Sequence, residues 1–337
     1  MAKPAVETAR RQYNQWVATE SIEDYALRYS PSSFRKWSPA VLGTTMIGTN
    51  SALSFEAIGA LLVLDFGFTN AVWAMTFAAA VIFLVGLPIC NYAAKHSIDM
   101  DLLTRSAGFG YVGSTFTSLI YASFCFIFLA FESAIMAQAL KLGLGVPLPL
   151  GYLICAVVVI PVVFYGVTAI NKLHRWTQAI WLVLLLAPVV FVFLYEPRAL
   201  AAMIGHAGDV SKSSSFNFLH FGVAAGISFA LIAQIGEQVD YLRFMPDRSQ
   251  HSGWSWWTNM IIGGPGWVWI SYLAQLAGAF LAAVAVMGGM AIADAKEPVQ
   301  IFNVAFSYVI AHPGLAIALT TLLVVVSQVK VNVTNAY

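Results

Sequence analysis

Four ionisable side chains stand inside long apolar runs of this sequence: Glu56, Glu132, Glu237 and Lys330. Each costs roughly 2.5–3.5 kcal/mol to insert near the centre of a membrane helix, so an intramembrane charge is by default a binding or relay group with a partner to be found. Three acids against one base leave an imbalance. It predicts that Lys330 is neutralised by an acid or by carbonyls of a broken helix, and that at least one glutamate titrates or faces a wet cavity. Around Glu56 the sequence Gly43-Thr-Thr-Met-Ile-Gly48-Thr49-Asn50-Ser51-Ala-Leu-Ser54-Phe-Glu56 puts glycine and hydroxyls into the middle of an otherwise apolar helix. Backbone left open at that depth is tolerated only where it lines a cavity, and half-helix ends then offer N–H dipoles to anions and carbonyls to cations. A second interruption is expected in the sixth apolar run, around Gly222, Gly226 and Gln234-Ile-Gly236-Glu237. The alternative reading of these glycines is close helix packing.

The elements that must hold these groups are membrane helices. Of 337 residues 59% are hydrophobic and 10% charged, against roughly 45–50% and 25% in an average soluble domain. A bilayer core takes about 20 apolar residues of helix. Eight runs qualify: 39–64, 68–88, 112–140, 148–170, 176–195, 216–240, 259–290 and 313–336. They are continuous and lack the two-residue alternation of a membrane β-barrel. Residues 1–38 are polar, without the apolar core of a signal peptide, and form a cytoplasmic segment ahead of a membrane domain at 39–337. With the N-terminus inside, the inner loops hold Lys3, Arg10, Arg11, Arg28, Arg35, Lys36, Lys95, Arg105, Lys172, Arg175, Arg243 and Arg248. The outer loops hold Lys141, Arg198, Lys212 and Lys296. That excess of inner positive charge fits an inner (plasma) membrane protein in this orientation. The last run reaches Tyr337 with no polar stop, as a chain truncated within its eighth helix would.

Several classes drop out. A net charge of +1 gives no electrostatic case for nucleic acid. Cys90, Cys125 and Cys155 lie far apart in apolar runs and read as small hydrophobes, and the histidines show no metal spacing. Gly108-Phe-Gly110-Tyr-Val-Gly113 matches a dinucleotide fingerprint but no strand precedes it, so it reads as small residues packing a helix start. No nucleophile–base pair or metal cluster marks an enzyme. Gly263-Gly264-Pro265-Gly266 offers the seventh run a hinge or a packing device.

The order of these residues resembles the nucleobase–cation symporters of the purine–cytosine permease type. Arg105-Ser-Ala-Gly-Phe109-Gly110-Tyr-Val-Gly113 is similar to that family's entrance to the third helix, and Asp240-Tyr-Leu-Arg243-Phe244 to its inner end of the sixth. The resemblance implies an all-α leucine-transporter-like fold with discontinuous helices 1 and 6. It implies a small nucleobase-like ligand held at Gly48 and Asn50 of the first break, with Phe128 stacking, Glu132 in the place of a hydrogen-bonding glutamine, and Asn332 completing the contacts. The family's second stacking tryptophan falls at Leu231, so one face of the ring sandwich is missing. Of the family's sodium site only Ser327 survives, and Lys330, nearly one helical turn on, stands in as a fixed ammonium. No cofactor is implied beyond a coupling Na⁺ or H⁺, and the oligomeric state is open. The lead-in Glu23-Asp24-Tyr25-Ala-Leu-Arg28-Tyr29 and the run Ile235–Pro246 also resemble a branch fused to sensor histidine kinases. That implies, as the alternative function, a ligand-sensing input domain.

Overall fold

Pro39 opens the first helix in a position where its missing N–H costs nothing, and the Ser38 side chain accepts from Val41 N–H to cap it. The computed structural model describes residues 29–337; the Glu23–Arg28 part of the lead-in, like the rest of residues 1–28, lies outside the described residues. Helix α1, Pro39–Thr49, ends where Thr49 and Asn50 turn their side chains back onto the Met46 carbonyl, at 2.8 and 3.1 Å. Side chains that bond to the preceding turn compete with the helix ladder and help to stop it. After Ser51, Ala52 and Leu53 the chain resumes as α2, Ser54–Phe66, bent by 48° from α1. The first span is therefore broken where the glycine and hydroxyl run predicted.

The remaining spans are α3 (Phe68–His96), α4 and α5 (Met100–Thr104 and Gly110–Leu144), α6 and α7 (Leu148–Val158 and Ile160–Phe164) and α8 (Gly166–Tyr195). A short α9, Pro197–Gly205, leads to α10 and α11 (Phe218–Phe229 and Gln234–Leu242), then α12 and α13 (Gly253–Gly263 and Trp267–Met287), α14 (Pro298–Val309) and α15 (Pro313–Asn335). Among the described residues six helices are long and apolar enough to cross a membrane, and the bent α1–α2 pair makes a seventh. The eighth expected span, the fourth in order, is the shorter apolar segment Leu148–Phe164. Gly166, at φ 69°, turns the chain there, so residues 166–170 belong to the fifth span. Neither α9 nor α14 was expected, because each is too short to register as a span.

Two sequence readings need correction. The sixth span stays helical through Gly222 and Gly226, both exposed with nothing within 4 Å of a Cβ placed there. They neither break the helix nor pack it. Its discontinuity is a tighter 3₁₀ turn at Ala230–Ala233 between α10 and α11. Gly108 and Gly110 likewise have open space around them and adopt φ 111° and 66°. They form the π-type turn joining α4 to α5, a conformation that L side chains resist, and close packing is not their role.

Close packing appears instead between α2 and α13. A Cβ on Gly59 would lie 1.8 Å from the Gln275 carbonyl oxygen, and one on Gly278 would lie 2.2 Å from that of Glu56. The two backbones interlock through reciprocal glycines.

The bundle has two differently built ends. At the far face, where α2 ends, the 206–213 loop wraps its C-terminus. Asp209 N–H donates to Leu64 O at 2.7 Å, and Val210 and Ser211 N–H donate to Asp65 O at 2.9 and 3.1 Å. Lys296 pairs with the Asp65 carboxylate at 2.6 Å. At the near face, where α1 begins, Ser30 N–H bonds Ser97 O at 2.8 Å and side-chain charges dominate. Asp240 accepts from Met100 N–H at 3.1 Å, Arg243 stands 3.9 Å from Asp99, and Arg105 pairs with Asp101 at 2.7 Å.

Candidate functional site

Helix α2 begins at the break with N–H groups that have no helical carbonyl before them, and the Glu132 carboxylate of α5 faces those of Leu53 and Ser54. Its surroundings are the N–H groups of Leu53 and Ser54, the Ser54 hydroxyl and the Gln328 side chain of α15. These groups surround the carboxylate at the edge of hydrogen-bond geometry, so both Glu132 oxygens, the Ser54 hydroxyl and both ends of the Gln328 amide lack a close, well-aligned partner. All three residues are fully buried. A buried polar group without a partner costs about 1–3 kcal/mol, more when charged, so such a cluster is expensive unless something occupies it. The start of a helix favours a negative charge, which is why a carboxylate is held there.

Asn332 extends the same lining one turn along α15 from Gln328. Its Nδ2 donates to Ser133 Oγ on α5 at 3.3 Å, and its Oδ1 has no partner. That contact brings α15 against α5 one residue from Glu132. Phe128, half-buried one turn before Glu132, packs on the apolar cluster that contains Leu231, Phe55 and Trp267, and tilts against Phe124 with ring centroids 4.5 Å apart. Leu231 sits in the 3₁₀ turn of the sixth span, 2% exposed. Asn50 ends α1 and spends its amide on Met46, so its side chain serves the break itself.

Gly48 and the two predicted cation-site residues form a neighbouring layer. A Cβ on Gly48 would fall 2.0 Å from His174 Nδ1, so its absence lets α8 press against the end of α1. Ser327 works on both sides: its carbonyl accepts from Ser51 Oγ at 3.0 Å and its hydroxyl from Trp181 Nε1 at 2.9 Å. Lys330 departs from expectation. Its ammonium donates to Gln178 Oε1 at 2.7 Å and lies 4.7 Å from the Trp181 ring centre, and among the described residues it has no ion pair with an acid and no hydrogen bond to the break. An amide oxygen and an aromatic face suffice because both interactions strengthen where water is excluded. The tie between the break and α15 is Ser51 to Ser327.

Glu237 belongs to a third layer. It takes a short hydrogen bond from Gln234 and faces Thr334, while Oε1 is left without a partner. The sequence reading placed Ser54 in the first break without a role at Glu132, and missed Gln328, His174, Gln178 and Trp181. The last three stand at i, i+4 and i+7 on one face of α8, and Gln328 and Asn332 at i and i+4 on α15, a spacing that was available. Cys90, Cys125 and Cys155 are buried free thiols, and no cluster of metal-binding side chains occurs among the described residues.

An all-helical membrane bundle with a broken first helix and a polar chamber at the break defines the leucine-transporter-like fold. Solved structures agree. The chain is similar to Mhp1, a nucleobase-cation-symport-1 family transporter, in a closed conformation with bromovinylhydantoin bound, at a TM-score of 0.65 and 17% identity, over 92% of this chain and 66% of that one. It is similar to the inward-facing conformation of Mhp1 at a TM-score of 0.62 and 18% identity, over 93% of this chain and 65% of that one. The chain thus spans slightly less than two thirds of the length of these structures. No protein-family model and no curated protein matches the sequence. The sensor alternative gains no support from likenesses to a transporter.

Proposed function

We propose that this protein binds a flat, nucleobase-like heterocycle at the break of the first span and carries it across the inner membrane, with the near face toward the cytoplasm. The observation that supports this is the set of buried polar atoms lacking a close partner on Ser54, Glu132, Gln328 and Asn332, with Phe128 half-buried one turn before Glu132 on α5. Phe128 stacks on the ligand ring, Glu132 accepts ring N–H groups, and Asn332 Oδ1 takes a further donor. Leu231 offers only an apolar wall on the opposite side. The hydantoin bound by Mhp1 is a ligand of this general kind, flat and edged with N–H and C=O groups. The excess of Lys and Arg on the near-face loops supports the orientation.

Lys330 places its amine in the layer where Ser327 would help to hold sodium, so we expect transport without a sodium requirement. Reconstituted protein given radiolabelled nucleobases and hydantoins, with Na⁺ and pH gradients imposed separately, tests this. Uptake that survives complete removal of Na⁺ and falls at least about ten-fold in Glu132→Gln is expected. Absence of any binding or uptake across the series counts against the solute-binding reading, and strict Na⁺ dependence counts against the Lys330 role.

A further inference from the structure

On the near face, the end of α3, the start of α12 and the loop before α12 border a cavity of about 260 Å³. That is below the roughly 300–1,000 Å³ of sites that take a whole small molecule, and suits a headgroup. Its charge is positive. Lys95 and Arg248 both line it, and among the described residues neither has a carboxylate partner. Asp247 lines it too, but stands 3.5 Å from the Arg35 guanidinium, which offsets its charge. The walls are held in place. Trp256, 3% exposed, is fixed by its indole N–H donating to Pro246 O at 2.9 Å, and the Arg248 guanidinium lies 5.4 Å from the Trp257 ring centre. A guanidinium resting on an aromatic face keeps its N–H edge for an acceptor. Asn91 adds a half-buried amide to the lining.

The surroundings point to lipid. Tyr92 and Trp254, close in sequence to the lining residues, are 46% and 84% exposed, amphipathic rings of the kind that sit at headgroup level. Deeper along the same two helices Leu84, Val85 and Ile262 are exposed apolar side chains, a surface for acyl chains. We propose that this cavity binds the phosphate of an anionic phospholipid in the near leaflet, with Lys95, Arg248 and the Asn91 amide supplying the donors. A lipid phosphate and a free phosphate share that chemistry, and the interfacial rings with the apolar surface below them favour the lipid. The site is separate from the chamber at the first break and does not depend on what that chamber carries. Because it bridges α3 and α12, a bound headgroup staples the second span to the seventh.

Protein in neutral detergent is titrated with phosphatidylglycerol and with phosphatidylcholine of the same chains, and bound lipid is counted by native mass spectrometry. Phosphatidylglycerol is expected to bind wild type about ten-fold tighter, because choline cancels the phosphate charge in the other lipid. Lys95→Gln and Arg248→Gln should each lower that ratio by about three-fold, and the double variant should abolish the preference. Lys141→Gln with Arg198→Gln, on the far-face loops, should leave it unchanged, and Asp247→Asn should raise it. Thermal unfolding checks that each variant is folded, and phosphatidylglycerol should raise the midpoint of wild type more than that of the double variant. Equal affinity for the two lipids, or a preference that survives in the double variant, overturns the site. Displacement of phosphatidylglycerol by an equal concentration of glycerol phosphate or inorganic phosphate overturns the lipid assignment in favour of a soluble phosphate.

Discussion

The two faces of the bundle are closed by different chemistry. At the far face the last carbonyls of α2 are taken mainly by backbone N–H groups of the 206–213 loop, joined by the His206 ring 3.2 Å from Leu64 O and by the Lys296–Asp65 pair. At the near face the contacts among the start of the third span, the end of the sixth and the segment before α1 run largely through Asp99, Asp240, Arg243, Asp101, Arg105 and Asp247 with Arg35. A backbone seal opens only by displacing a loop, whereas a seal of ionisable side chains can be loosened by a change of pH or salt. The near face thus relies on side-chain charge, and the far face chiefly on backbone bonds.

The largest expected effect breaks the far seal. Gly208 has φ 79°, and a Cβ there would lie 2.4 Å from Gly67 N and 2.6 Å from Asp65 O. Gly208→Val should destabilise by about 3 kcal/mol or more, read as a fall in the thermal unfolding midpoint in detergent. Next comes Arg243→Met at the near face, which strips a 5%-exposed guanidinium from Asp99 and Tyr337. A loss of about 2–3 kcal/mol is expected, less than for a fully enclosed pair because Asp99 remains partly wet. An unchanged midpoint would show that charge does not hold this end.

Acidity should separate the faces further. Burial pushes the Asp99 carboxyl up to about 6, with Asp240 and Asp101 adding to the rise and the Leu102 N–H and Arg243 opposing it. Because the folded state holds this proton more tightly than the unfolded chain, Asp99 favours folding most at low pH, and that contribution is lost as pH rises from about 4 through 6. Amide exchange over residues 97–104 should therefore quicken, on the order of ten-fold, between pH 5 and 7 after correction for intrinsic rates, and by clearly more than over residues 209–211 at the far face. Asp99→Asn should flatten that response and still cap α4, since asparagine can accept from Leu102 N–H as Asp99 does at 2.8 Å. The smallest effect is Lys296→Met, which removes a part-exposed pair with Asp65 and should cost about 0.5–1 kcal/mol.

Much of this architecture was legible in the sequence because hydropathy and helix-stopping chemistry are local. Thr49, Asn50 and Ser54 mark the first break by their own side-chain preferences, and Glu132 and Asn332 stand out as polar groups in apolar runs. Gly222 and Gly226 misled because a glycine announces permission, not use, and lipid-facing surface leaves that permission unspent. Lys330 was assigned to the break on charge balance, but an amide and a ring face one layer away hold it, a contact that exists only once α8 packs on α15. Gln178 and His174 escaped notice because charge was sought and neutral side chains carried the role.

The reciprocal glycines of α2 and α13 set how this bundle can deform. With each backbone seated in a notch of the other, a shift of one helix must drag its neighbour, so the far halves of the first and seventh spans travel as a single stiff plank. Its flexible edge can then lie only where both spans lose their ladder, at residues 50–53 and 264–266.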